Sequence, residues 1–154
     1  RCGRTLAEAG YTVATGGYYG TMEAVSLGAR SVGGRVVGVT APTVFPQRPG
    51  ANDHVTDEWV ARSLIDRIGL LIERTDASIA LWGSLGTATE LLVAWNLAFV
   101  ASFSEIERKP VIAVGEPWAT LVPTLATTLG ISDDLVQVVD DVEAGVAAII
   151  AAFG

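Results

Sequence analysis

The stretch ASIALWGSLGTATE, residues 77–90, decides the fold that this sequence predicts. It begins with a short, largely apolar run that indicates a buried strand, passes through a turn with two glycines, and ends in residues that favour a helix. The stretch YTVATGGYYGTME, residues 11–23, has the same order of elements. A strand, a glycine turn and a helix in succession are typical of βαβ units on a parallel sheet.

Short apolar runs and longer helical segments alternate along the rest of the chain as well. We expect strands at residues 11–15, 35–40, 77–81, 111–114 and 136–139, and helices at about residues 1–9, 20–32, 57–74, 87–106, 118–129 and 142–152. Because the strands are almost continuously apolar, the sheet is expected to be buried on both faces. The sequence therefore predicts an α/β protein with a three-layer Rossmann-like fold and a mostly parallel sheet.

The predicted fold occupies one domain over residues 1–154, a length that suits a single hydrophobic core. A parallel α/β sheet normally opens with a strand, whereas this chain opens with a helix. We therefore expect that the first strand is missing from this chain and that the domain is incomplete at its N-terminus.

The chain has nine arginines and seventeen acidic residues but only one lysine, one histidine and one cysteine, namely Lys109, His54 and Cys2. A Cys/His zinc site needs three or four ligands, and a disulfide needs two cysteines. The G-K-[ST] lysine of a nucleotide-triphosphatase loop is missing, because Lys109 is followed by Pro110. We therefore predict no metal and no cofactor.

The formal charge of −7, without clusters of basic residues, argues against binding to nucleic acid. The longest apolar stretch, residues 91–103, is too short to span a membrane and is interrupted by Asn96 and Ser102. We expect no membrane partner, and the scarcity of cysteine favours a cytoplasmic location.

Residues 41–56 form the one long stretch that cannot sustain a helix, because they contain Pro42, Pro46, Pro49, Gly50 and Asn52. Loops of this length in compact domains are usually functional or disordered. Of these two alternatives, we favour a functional lid.

The two glycine turns are candidate sites for an anion, because backbone N–H groups and a helix dipole converge where such a turn enters a helix. The carboxyl ends of parallel strands form the ligand crevice of open α/β sheets, so the two turns are expected to form one phosphate cradle. The candidate phosphate- or nucleotide-binding residues are Thr15, Gly16, Gly17, Gly20, Thr21 and Met22 in the first turn, and Gly83, Ser84, Gly86 and Thr87 in the second.

Two alternatives need no ligand. Glycine turns also occur wherever a chain must reverse sharply after a strand. In addition, Thr87 and Glu90 fit the S/T-x-x-E capping box, in which the glutamate only satisfies an N–H group at the start of its own helix.

At roughly residues 3–120 the sequence resembles the LONELY GUY family of cytokinin-activating nucleoside-monophosphate phosphoribohydrolases, proteins often labelled lysine decarboxylases. The family's P-G-G-x-G-T-x-x-E segment is similar to residues 82–90, and its upstream glycine turn ending in methionine is similar to residues 15–22. Arg67 stands where the family has its catalytic arginine, and the spacing from Arg67 to Glu90 resembles the family's. The chain departs from the motif at Trp82 and Ser84, which replace a proline and a glycine.

The resemblance implies hydrolysis of the N-glycosidic bond of a nucleoside 5'-monophosphate, with Arg67 and Glu90 as catalytic residues. Glu90 would stabilise the positive charge on the sugar or position water, and Arg67 would contact ligand oxygens or orient Glu90. Without the resemblance, Arg67 is expected to be an exposed helical arginine paired with Asp66 or Glu73. Trp82 would be either a wall against the sugar or base, or apolar cover over the crevice.

A second function remains open, because molybdenum-cofactor carrier proteins share the expected fold and bind a phosphorylated ligand without turning it over. Lysine decarboxylation is rejected, since Lys109 adjoins Pro110 at the start of a strand, away from the crevice. The family resemblance also implies a homodimer or a larger homo-oligomer, with the helix at residues 91–103 as the candidate interface.

Overall fold

The computed structural model describes residues 1–48 and 50–154, and within them the chain forms two compact units, Arg1–Thr75 and Asp76–Gly154. Each unit contains a parallel sheet of three strands with helices between the strands. The predicted α/β class and the parallel pairing are confirmed. The expectation of one domain over residues 1–154 stays a prediction.

The first unit carries the first glycine turn between its first strand and second helix. Its elements are α1 (Cys2–Glu8), β1 (Val13–Thr15), α2 (Thr21–Arg30), β2 (Val36–Thr40), β3 (Asp57–Val60) and α3 (Leu64–Glu73). The strand order is β1-β2-β3, and Val13 lies opposite Val36 while Val39 lies opposite Trp59.

The second unit carries the second glycine turn between its first strand and first helix. Its elements are β4 (Ser78–Ala80), α4 (Leu85–Ala101), β5 (Val111–Val114), α5 (Trp118–Leu129), β6 (Gln137–Val139) and α6 (Val142–Phe153). The strand order is β4-β5-β6, with Ile79 opposite Ile112 and Ala113 opposite Val138.

The prediction of strands buried on both faces holds for the central strand of each sheet. Every residue of β2 and of β5 is buried. The outer strand β3 instead alternates between half-buried and exposed residues, since a strand with one neighbour in its sheet leaves more of its surface open.

The predicted helix at residues 57–74 is wrong in its first part, where the structure has the strand β3 and a short connection before α3. Asp57 is held at the start of β3 by Arg35, whose Nε and Nη2 donate to its carboxylate at 3.0 and 3.2 Å. The helix begins only after Ser63, whose Oγ accepts from the backbone N–H of Asp66 at 3.1 Å. Ser63 is thus a typical N-cap, and it sets the position of Arg67 on the first turns of α3.

Candidate functional site

The first glycine turn has an inner half and an outer half. Its inner residues, Thr15 to Tyr18, are buried, whereas Tyr19, Gly20 and Thr21 are exposed where the chain enters α2. The inner half therefore packs against the rest of its unit, and the outer half is the part that an anion from solvent can reach.

Arg67, which lies on α3, holds the inner half of the turn in place by hydrogen bonds. Its side chain is buried, with 7% of the residue exposed, and its Nε donates to the carbonyl of Val39 at 2.7 Å while Nη2 donates to the carbonyl of Gly16 at 2.8 Å. The alternative of an exposed helical arginine is therefore wrong. A buried guanidinium of this kind is stabilised by charge-assisted hydrogen bonds to carbonyl dipoles.

Gly16 lacks a side chain because Arg67 occupies the space beside it. A Cβ atom built on Gly16 would run into the guanidinium of Arg67 and the sulfur of Met22. Met22 Sδ itself lies 3.8 Å from Arg67 Nη2. The Gly-to-Met spacing of the turn is thus explained by packing around one arginine.

Thr15 is bonded within the turn. Its Oγ1 accepts from the backbone N–H of Gly17 at 3.1 Å and lies 3.4 Å from the hydroxyl of Ser26, which donates to the carbonyl of Met22 at 2.9 Å. These contacts link the end of β1 to the first turn of α2. Of the candidate phosphate-binding residues in this turn, Gly20 and Thr21 are therefore the exposed ones, while Thr15, Gly16 and Gly17 are buried.

The loop that follows β2 is anchored to the same turn by Asn52 and Tyr18. The backbone N–H of Asn52 donates to the carbonyl of Gly17 at 2.8 Å, and its side-chain Nδ2 donates to the carbonyls of Gly17 and Tyr18 at 3.1 and 2.7 Å. In return, the Tyr18 hydroxyl accepts from the backbone N–H of Ala41 at 2.8 Å. Asn52 and Tyr18 are buried, so these bonds hold the loop against the turn. Pro49, part of the predicted loop, lies outside the described residues, and the lid stays a prediction.

The second glycine turn is exposed from Trp82 to Gly86. The strand before it is fixed by Trp118, whose Nε1 donates to the carbonyl of Leu81 at 3.2 Å. A Cβ atom on Gly83 would collide with the side chain of Thr87. Because Gly83 has no side chain, Thr87 can pack closely against the backbone of the turn. Trp82 is 66% exposed, so its side chain is not buried against the other residues of its unit.

Glu90 lies in the second turn of α4 and is half-buried. The helix begins at Leu85 with Ser84 as its N-cap, so Thr87 lies inside the helix and does not cap it. The capping-box alternative for Thr87 and Glu90 is therefore wrong. Glu90 is a carboxylate in the second turn of the helix that follows the second glycine turn.

The sequence analysis did not predict the contacts by which Tyr18 and Asn52 shape the first turn. Both residues bond to partners far along the chain, which no local motif indicates. The sequence held one signal for such a contact, which is Asn52 in a proline-rich loop. A buried asparagine needs hydrogen-bond partners for its side-chain amide, so an asparagine in such a loop is a candidate anchor.

Within residues 1–48 and 50–154, no three histidine, cysteine, aspartate or glutamate side chains are grouped in a way that could hold a metal ion. In the same part of the chain, each helix is too short or too polar to cross a bilayer.

The fold and the turns define a Rossmann-like α/β protein whose two strand-to-helix glycine turns are packed against later side chains. The model of the SLOG cluster4 family matches residues 1–129, and the chain belongs to this family.

A curated relative is the cytokinin riboside 5'-monophosphate phosphoribohydrolase of Mycobacterium tuberculosis, which is 35% identical over 118 residues. This match covers 75% of the chain but 59% of the relative, so the chain spans about three fifths of that protein's length. The Mycobacterium marinum protein of the same name matches to the same extent.

Among solved structures, the molybdenum cofactor carrier protein of Chlamydomonas reinhardtii is similar with a TM-score of 0.71 at 25% identity, covering 98% of this chain and 84% of that one. The molybdenum cofactor binding protein of Rippkaea orientalis has a TM-score of 0.78 at 22% identity, with coverage of 99% and 84%. The latter likeness supports the Rossmann-like fold.

We predict that Asn52→Ala lowers the free energy of unfolding by about 2 to 3 kcal/mol, because it removes two hydrogen bonds to buried carbonyls. The measurement is urea unfolding of the full chain. Gln47→Ala, which removes an exposed amide from the same loop, is the matched control and is expected to change stability by less than about 0.5 kcal/mol. Equal effects of the two variants would show that Asn52 does not anchor the loop.

Proposed function

We propose that this protein hydrolyses the N-glycosidic bond of a nucleoside 5'-monophosphate and releases the free base and ribose 5-phosphate. The observation that carries the proposal is Arg67, which matches the family's catalytic arginine in sequence and is bonded to the carbonyl of Gly16 inside the first glycine turn. Similarity to the mycobacterial phosphoribohydrolases over three quarters of the chain supports it.

Glu90 is the proposed catalytic carboxylate. Cleavage of the bond between the sugar and the base leaves positive charge on the sugar ring, and the base departs with the bonding electrons. A carboxylate beside the sugar stabilises that charge and takes a proton from the water that adds to the anomeric carbon. The departing base gains a proton, so the products are a neutral base and ribose 5-phosphate.

Arg67 contributes to this reaction through the turn. Two of its donors are already bonded to the carbonyls of Val39 and Gly16, so it fixes the direction of the peptide groups that lead to Gly20 and Thr21. The exposed N-terminus of α2 then offers N–H groups and a positive dipole end to the phosphate. In the second turn, we propose that Gly83, Ser84, Gly86 and Thr87 serve the ligand in the same way at the start of α4.

We further propose a cytoplasmic location, supported by the presence of one cysteine, and a small phosphorylated molecule as the partner. Cys2 is buried, and burial raises the pKa of its thiol to about 11, so it stays protonated and unreactive near neutral pH.

We predict that wild-type protein releases adenine from AMP, and that Glu90→Gln lowers kcat by at least about a hundredfold because the amide cannot accept a proton. Release of base is followed by chromatography, with cytokinin-type nucleotides tested in parallel. The matched control is Glu107→Gln, which changes an exposed glutamate of the same unit and is expected to leave kcat unchanged.

A second candidate function is a non-catalytic carrier of a phosphorylated ligand. It is favoured by the likeness to the Chlamydomonas carrier and by Trp82 and Ser84, which replace a proline and a glycine in an exposed turn. Tight binding of phosphorylated ligands without release of base from any nucleotide tested would decide for the carrier and against the hydrolase.

We also propose that the protein forms a homodimer through one face of α4. Exposed side chains recur on this helix and just beyond it at alternating intervals of three and four residues, which places them along one stripe. The stripe is formed by Leu92, Asn96, Phe99 and Phe103. No charged residue lies between Leu91 and Ala101, so a second copy of the same helix is a suitable partner for this uncharged and largely apolar stripe.

We predict that Leu92→Glu converts the dimer to a monomer, since it places a charge in the stripe that contacts the second copy. Sedimentation velocity measures the change in mass. Leu27→Glu is the matched control, because Leu27 is an equally exposed leucine on α2, and this variant is expected to remain dimeric. A monomeric wild type, or a dimer that survives Leu92→Glu, would contradict the assignment of this interface.

A further inference from the structure

Arg48 lies on the loop that is anchored to the first glycine turn. Its guanidinium carbon is 5.4 Å from the ring centre of Tyr18 and 5.7 Å from that of Phe45. The two rings contact each other edge to face, with their centres 5.5 Å apart. Cation–π contact with two rings limits the directions in which this exposed arginine can point.

The backbone around Arg48 is also bonded in place. The N–H of Arg48 donates to the carbonyl of Phe45 at 2.8 Å, and the N–H of Phe45 donates to the carbonyl of Ala41 at 3.0 Å. Ala41 in turn donates its N–H to the hydroxyl of Tyr18. A chain of contacts therefore runs from the first glycine turn to Arg48.

The same pair of rings contacts two arginines with different hydrogen-bond partners. Arg67 is 5.4 Å from the Tyr18 ring centre, but it is buried and two of its donors are bonded to backbone carbonyls. Arg48 is exposed, and within residues 1–48 and 50–154 its guanidinium contacts rings and has no hydrogen-bond acceptor or carboxylate as a partner.

This lack of a carboxylate distinguishes Arg48 from several exposed arginines of its unit, in a chain with seventeen acidic residues and a net charge of −7. Three exposed arginines of the same unit face a carboxylate: Arg4 faces Glu8 at 3.1 Å, Arg35 faces Asp57 at 3.0 Å and Arg62 faces Asp66 at 3.5 Å. A cation that is held in place by stacking and left without a counter-charge is suited to an anionic ligand.

We propose that Arg48 is a ligand-binding residue that pairs with the phosphate of the ligand at the outer half of the first glycine turn. Tyr18, on which Arg48 stacks, directly precedes the exposed residues Tyr19 and Gly20 at the entrance to α2. The guanidinium supplies two N–H donors in one plane for phosphate oxygens, and the start of α2 supplies backbone N–H groups. The inference rests on the proposed function in that the ligand carries a phosphate.

The test is calorimetric titration of AMP, ribose 5-phosphate and inorganic phosphate into wild type, Arg48→Gln and Arg74→Gln. Arg74 is the matched control, because it is an exposed arginine of the same unit that is likewise stacked on a ring, 5.3 Å from the centre of Trp59. Arg48→Gln is expected to weaken binding of AMP and ribose 5-phosphate by roughly tenfold or more, whereas Arg74→Gln leaves it within about twofold of wild type.

Arg48→Lys keeps the charge but loses the planar stacking, so it is expected to bind with intermediate affinity. Thermal unfolding of each variant shows that the chain remains folded. A second readout is the salt dependence of AMP binding, which should be weaker in Arg48→Gln than in wild type because one charge pair is absent.

Wild-type affinity in Arg48→Gln, or equal losses in the Arg48 and Arg74 variants, would overturn the inference while leaving the proposed hydrolysis intact. A different outcome is that Arg48→Gln alone loses affinity while the wild-type protein releases no base from any nucleotide. This outcome would support the role of Arg48 in binding and would overturn the proposed hydrolysis. A wild type that binds none of the three probes would overturn both.

Discussion

The first glycine turn depends on one interaction, the pair of hydrogen bonds from the buried guanidinium of Arg67 to the carbonyls of Val39 and Gly16. Burial of a charge is costly unless its donors are satisfied, so Arg67 dictates what surrounds it. Gly16 must lack a side chain, and Met22 and the Tyr18 ring fill the remaining space. The shape of the turn therefore follows from an arginine about fifty residues further along the chain.

The second turn follows a similar rule with a smaller side chain. Thr87 packs against Gly83, as Arg67 packs against Gly16, and in both cases the glycine makes room for a residue on a later helix. The difference lies in exposure, since Trp82 to Gly86 are exposed whereas Thr15 to Tyr18 are buried. The departures from the family motif at Trp82 and Ser84 thus fall at exposed positions of the turn, on either side of the glycine that packs against Thr87.

Local pattern predicted most of the fold, because buried strands and amphipathic helices differ in period. The segments at residues 111–114 and 118–129 match β5 and α5 at both ends. The strand β3 was missed because its acidic start, Asp57 and Glu58, looks like the first turn of a helix. Its conformation is decided by Arg35 and by pairing with β2, and neither contact can be deduced from the segment itself. The burial of Arg67 and the anchoring role of Asn52 were likewise hidden, since both depend on distant carbonyls.

The most direct test of the account is amide hydrogen exchange of wild type and Arg67→Met at the turn. If Arg67 holds the turn together, the variant should exchange the amides of Gly17 and Asn52 at least about tenfold faster, because their partners Thr15 and Gly17 lie in the turn that Arg67 fixes. The amide of Val37 in β2 should keep its protection. Unchanged exchange at Gly17 and Asn52, or an equal loss of protection at Val37, would contradict the central role of Arg67.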